Sequence, residues 1–134
     1  MSGETNLQSL LANMKPALLE GEFVFCSVSP LAFDQLRIRP IGIFRESEGV
    51  TIIIERSVAD AEGLGYEFIS RMITLNIHSS LEAVGFLASI TSKLAEAGIS
   101  VNTVSAFYHD HLFVPTDKAS AVMRLLDKLK NDCT

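Results

Sequence analysis

Apolar and polar positions along the chain predict a run of short elements. Leu7, Leu10, Leu11 and Met14 follow the i, i+3, i+4, i+7 spacing of a one-sided helix, ended by Pro16. Phe23-Val24-Phe25-Cys26-Ser27-Val28 is aromatic and β-branched and closes on Ser29-Pro30, which predicts a strand. Residues 31–39 alternate only weakly and have room for a turn or two of helix. Ile41–Arg45 and Val50–Glu55 flank Glu46-Ser47-Glu48-Gly49, a polar connection ending in Gly that suits a hairpin. Ser57 to Glu62 reads as a brief helix stopped by Gly63 and Gly65.

The pattern sharpens after residue 65, where we place a boundary between units 1–65 and 66–134. Within Phe68–His78, Ile73, Leu75 and Ile77 alternate with Thr74, Asn76 and His78, as in a strand with one buried face. Ser79 and Glu82 form a capping-box pattern ahead of a helix whose face carries Val84, Leu87, Ala88, Thr91, Leu94 and Ala95, with Gly98 as its stop. A strand is expected over Ile99–Tyr108, a turn at His109-Asp110, and a returning strand over His111–Val114 closed by Pro115. Ala119, Val122, Leu125, Leu126 and Leu129 then share one face of a last helix with Thr116 or Asp117 as N-cap. Both halves follow the order β-α-β-β-α, the start of a split βαβ, which predicts an α+β fold with helices on one face of an antiparallel sheet. The second half has no final strand of its own. Either a neighbouring unit donates an edge strand or the sheet is incomplete and pairs with another chain, so a homodimer is expected.

Composition narrows the partners. Of 134 residues, 11 are Lys or Arg and 16 Asp or Glu, a net charge of −5, with no basic run, which argues against nucleic acid and anionic membrane surfaces. No segment approaches the ~20 apolar residues of a membrane span. The N-terminus lacks a basic region followed by an apolar one, and the cytoplasm is the expected location. Cys26 and Cys133 give neither a disulfide framework nor metal spacing and read as free thiols. Cys26 as a nucleophile is weighed against a buried thiol in an apolar strand, and the second fits its neighbours better. Dinucleotide, P-loop, serine-hydrolase and zincin motifs are missing, so no cofactor is expected.

The run RMITLNIHSSLEAVGFLASITSKLAEAGISVNTVSAFYHDHLFVP, Arg71 to Pro115, resembles an ACT domain. Its marks are a helix opening at Val84-Gly85-Phe86-Leu87 and a second strand entered through Ala97-Gly98-Ile99-Ser100-Val101-Asn102. The chain is most similar to small stand-alone bacterial proteins with two ACT-like units, the second ending in HDH-x-FVP, here His109 to Pro115. Ser47-Glu48-Gly49-Val50-Thr51 suits the first unit. The resemblance implies two ferredoxin-like (βαββαβ) units and a regulatory or sensor module without catalytic activity, binding a small molecule, often an amino acid, between paired units.

Two places could carry this chemistry. Backbone N–H groups at the helix start, within Ser79, Ser80, Leu81, Glu82, Val84, Gly85 and Phe86, could hold a carboxylate, with Gly85 permitting close approach. Glu82, or Asn102 in the segment Ser100-Val101-Asn102, could hold an amino group. The alternative is that Ser79 and Glu82 cap the helix and Gly85 allows close packing. The second place is His109-Asp110-His111, whose histidines would share one side of a strand. It suits turn hydrogen bonds, contacts to an interface or ligand, or a metal site completed by His78 in a metal-dependent enzyme; we expect no metal. A purely structural dimerisation module is the third reading.

Overall fold

The computed structural model describes residues 6–77 and 83–133. In chain order the elements are α1 (Leu7–Asn13), β1 (Lys15–Leu18), β2 (Phe23–Val28), α2 (Pro30–Gln35), β3 (Gly42–Arg45), β4 (Val50–Glu55), α3 (Arg56–Glu62), β5 (Glu67–Asn76), α4 (Phe86–Glu96), β6 (Asn102–Ser105), β7 (Asp110–Pro115) and α5 (Ala119–Asn131). They form two compact units, one of residues 21–70 and the other of residues 1–20 together with 71–134.

In the unit of residues 21–70 the strands run in the order β3-β4-β2, and the first residues of β5 pair with β2 through Phe23↔Ser70 and Phe25↔Glu67. Taken in chain order as first to fourth, these strands lie 2-3-1-4, the split βαβ arrangement. Alternation sends Val24, Cys26, Val50, Ile52 and Ile54 to one side, where they bury with Ala59 of α3. Burial raises the Cys26 thiol's pKa, as expected of an inert core residue. α2 is short. Ser29 Oγ accepts from the Ala32 amide at 3.1 Å and Pro30 fits the first turn, yet none of its residues is buried. Between Phe23 and Phe25 the register against β5 shifts, and Phe68 adopts φ 60°, the left-handed region that a bulge favours and a bulky side chain resists. Its ring packs edge-on against Phe25 at 6.0 Å, a contact that offsets part of that cost.

The other unit is completed from the start of the chain. β5 continues through Arg71–Asn76 with β7 beside it and β6 beyond, and β1 pairs with β5 antiparallel from Lys15↔Asn76 to Leu18↔Ile73. β1 is thus the fourth strand that the second half lacks, and the order is again 2-3-1-4. The open edge from which a homodimer was expected is covered within the chain. Leu19 reinforces the junction: its N–H donates to Met72 O at 3.0 Å, and its carbonyl accepts from Arg71 Nη2 at 2.8 Å. α1 and its Met14 cap deliver Leu10, Leu11 and Met14 to a core with Ile73, Leu75, Phe86, Ile90, Leu94, Leu112, Val114, Val122 and Leu126. Packing therefore joins residues 1–20 to 71–134 rather than to the linear half that contains them.

Several sequence expectations shift. Pro16 lies inside β1 instead of ending α1, which stops at the Met14 cap; proline is tolerated because β1 is an edge strand. β6 spans only Asn102–Ser105 of the expected 99–108. α5 follows a 3₁₀ turn, Thr116–Lys118, so Lys118 stands at the cap and neither Thr116 nor Asp117 caps it. Gly85 is the N-cap of α4, whose first helical residue is Phe86.

Candidate functional site

The candidate residues all fall in the unit formed by residues 1–20 and 71–134, and strand directions decide which of them meet. β5 ends at Asn76 and α4 runs back along the sheet for 11 residues, roughly 16 Å at 1.5 Å per residue. β6 therefore starts at the far end of α4. Ser100 and Asn102, both exposed, and half-buried Val101 lie there, away from Val84, Gly85 and Phe86. The β6–β7 turn returns to the end where β5 finishes and α4 begins. The structure thus separates Asn102 from Gly85 and places the His109 turn at the end that Gly85 occupies. Ser79, Ser80, Leu81 and Glu82, with His78, lie outside the described residues.

Gly85 has φ +89°, and a Cβ there would meet only Leu7 Cδ2, at 3.5 Å, which is ordinary contact. Conformation, rather than lack of room, demands the glycine. No side chain among the described residues caps α4, whose first-turn amides carry the partial positive charge of a helix start. Phe86 anchors this turn in the core at 3% exposure, whereas Val84 is 83% exposed. An open groove of about 420 Å³ begins at Gly85 and follows α4 past Ala88, Ser89 and Ser92, with Leu11 and Leu129 also lining it.

The turn that closes β6 onto β7 is bonded by the Ala106 amide donating to His109 O at 3.0 Å. Ser105 Oγ donates to Asp110 Oδ1 at 2.6 Å. His109 Nδ1 lies 3.2 Å from Ile77 O; a carbonyl only accepts, so this nitrogen carries the proton. His111 Nδ1 sits 2.9 Å from Thr74 Oγ1, tying β7 to β5. Burial, and to a lesser degree the nearby His109, holds His111 below the ordinary histidine pKa, with Asp110 opposing them. Both Nδ1 atoms are engaged by protein groups. Among the described residues no three His, Cys, Asp or Glu side chains converge as a metal site.

The sequence reading passed over Phe107 and Tyr108. They are 62% and 61% exposed at the tip of the turn, with rings edge-on at 4.9 Å. With Val84 they place three uncovered apolar side chains at one end of the unit. They fall within the strand expected over Ile99–Tyr108, but β6 ends at Ser105 and both stand in the turn.

The ACT-domain family matches residues 2–71 and again residues 67–128. The chain belongs to the ACT-domain family. ACT domains are small-molecule-binding regulatory modules of ferredoxin-like fold. A Vibrio cholerae protein, described as of unknown function and a possible transport protein, is 42% identical and superposes with a TM-score of 0.83 over 92% of this chain and 95% of its own. An Agrobacterium tumefaciens protein shares the fold at 18% identity, with a TM-score of 0.69 over 87% of this chain and 89% of that one. So does the aspartate kinase of Clostridium acetobutylicum, at 10% identity and a TM-score of 0.66 over 96% of this chain and 36% of the kinase. No curated protein sequence matches the chain. Among the described residues no helix is long and apolar enough to cross a membrane.

Proposed function

We propose that this tandem ACT protein is a non-catalytic cytoplasmic sensor that binds an amino acid at the end of its second ACT unit where α4 begins. The observation that carries the reading is the double family match, with one ACT model over residues 2–71 and another over residues 67–128. The same matches support the division into ACT units 1–65 and 66–134, with the first unit lending its opening segment to the second as a fourth strand. Gly85 and the first-turn amides of α4 would receive the carboxylate, helped by the helix dipole. Val84, Phe107 and Tyr108 would line the apolar side of the site and contact a second copy, forming a homodimer with the ligand near the boundary. His109, bonded to Ile77 O, would hold the turn in place. Ser100, Val101 and Asn102, at the other end of α4, stand outside this site.

A thermal-shift series against the twenty amino acids tests the proposal. A ligand at about 100 times its Kd adds about 2.7 kcal/mol, a clear rise in melting temperature. One amino acid should stabilise the parent, and Val84→Asp should abolish the shift without lowering the unliganded melting temperature. No shift with any amino acid, or an undiminished one in Val84→Asp, would reject it.

A further inference from the structure

Residues 21–70 carry a second surface that the ligand proposal does not use. β3 is the terminal strand of this unit's order, and Ile43 and Phe44 on it are 50% and 72% exposed. Ile43 stands opposite Ile52, which faces the helix-side core, so Ile43 points to the helix side and Phe44 to the other face. The short α2 and the residues after it cover the helix side only in part: Phe33, Leu36 and Ile38 pack against its core, while Leu31 is 69% and Ile41 50% exposed. Backbone geometry adds to this. Glu46 and Gly49 exchange both amide bonds, at 2.9 and 3.3 Å, and antiparallel pairs alternate, so Ile43 and Arg45 turn their N–H and C=O groups away from β4 toward the open edge.

Charge selects the occupant. In a chain of net charge −5, residues 36–45 contain Arg37, Arg39 and Arg45 and no acidic residue. All three arginines are exposed. Among the described residues none of their side chains has a hydrogen bond or ion pair. A second copy fits poorly. Two-fold pairing of β3 edges preserves faces, so Arg45 would oppose Ile43 or another Arg45, never Glu46 or Glu48, which lie on the other face or beyond the strand. An acidic partner gives every arginine a counter-charge.

We propose that the β3 edge docks an extended acidic segment of a partner protein, added as a further strand. Apolar residues of that segment would cover Phe44 on one face, and carboxylates alternating with them would meet Arg45 on the other face and Arg37 and Arg39 beyond the strand. Such a surface would let a sensor act on a separate protein, and it stands without the amino-acid reading.

Fluorescence anisotropy with labelled octapeptides of alternating Val and Glu, or Val and Lys, tests it on the full chain. The Val/Glu peptide should bind saturably and more weakly at high salt, and the Val/Lys peptide should not bind. Ile43→Pro removes an edge-facing N–H that β4 does not use and should weaken binding at least about tenfold, with circular dichroism unchanged. Should Ile43→Pro unfold, Arg39→Glu with Arg45→Glu decides: the preference should move from Val/Glu to Val/Lys. No binding of Val/Glu by the parent, equal binding of both peptides, or undiminished Val/Glu binding by a folded variant would overturn the proposal. So would a parent dimer in sedimentation that Ile43→Pro converts to monomer, which would assign the edge to a second copy.

Discussion

Gly85 shows how one residue can be legible in type while its backbone conformation is not. Its place at the opening of an amphipathic run suggested either ligand access or close packing. It stands at the N-cap with φ +89° and nothing closer to a Cβ position than 3.5 Å. Gly85→Ala should therefore destabilise the fold by roughly 1–2 kcal/mol through left-handed backbone strain alone. Urea melts check this, and a neutral or stabilising result would show that the turn relaxes out of that conformation. His111 gives a pH-dependent expectation with a definite sign. Its folded-state pKa lies below the unfolded value of 6.5, so the unfolded chain takes up the proton first. Stability should be undiminished above pH 6.5 and fall as the pH drops from there through the folded-state pKa. His111→Gln should flatten that decline in melting temperature, and an unchanged slope would place its origin elsewhere.

Among the elements, β2, β4, β7 and α5 were readable because each carries its periodicity within its own residues, whereas α4 was legible as a helix but buries Phe86, Ile90 and Leu94, of which only Leu94 belongs to the expected face of Val84, Leu87, Ala88, Thr91, Leu94 and Ala95. β1 was not legible. Four residues that include a proline give no alternation to detect, and their partner, β5, lies some sixty positions away in sequence, so only tertiary pairing makes them a strand. The missing fourth strand was visible as a gap, but its source was not, and the gap therefore pointed to another chain. The candidate site divided in the same way: the start of α4 was legible from Gly85, whereas the placing of His109 near it and of Asn102 away from it depends on strand direction. α1 was recognised as a helix with one apolar stripe, yet its partner could not be named. Leu10 is fully buried in the core with α4 and α5, so the opening segment is structural rather than a free arm. Leu10→Ala should cost roughly 2–5 kcal/mol, the range for a large-to-small core change. Chemical denaturation would measure it, and a loss below about 1 kcal/mol, typical of surface positions, would mean that α1 contributes little to the fold.

At the scale of the molecule, the reason to expect self-association has moved from a sheet edge to a set of side chains. β1 covers the edge on which the sequence argument rested, but Val84, Phe107 and Tyr108 are left 83%, 62% and 61% exposed at the end of the unit where α4 begins. Leaving three large apolar groups in water forfeits burial worth about 25 cal/mol per Å², and a second copy offering the same surface would recover part of it from both sides. The paired arrangement would also place the two α4 starts near one another, where an amino-acid carboxylate could bridge them and tighten the pair. Sedimentation equilibrium at micromolar concentration should accordingly show a dimer, with association strengthened by whichever amino acid raises the melting temperature. Phe107→Ser combined with Tyr108→Ser should give a monomer of nearly unchanged thermal stability, because both rings sit at an exposed turn tip and contribute little to the fold. A parent that sediments as monomer both with and without that amino acid would remove the dimer. A double variant that remains dimeric would place the interface on another surface of the chain.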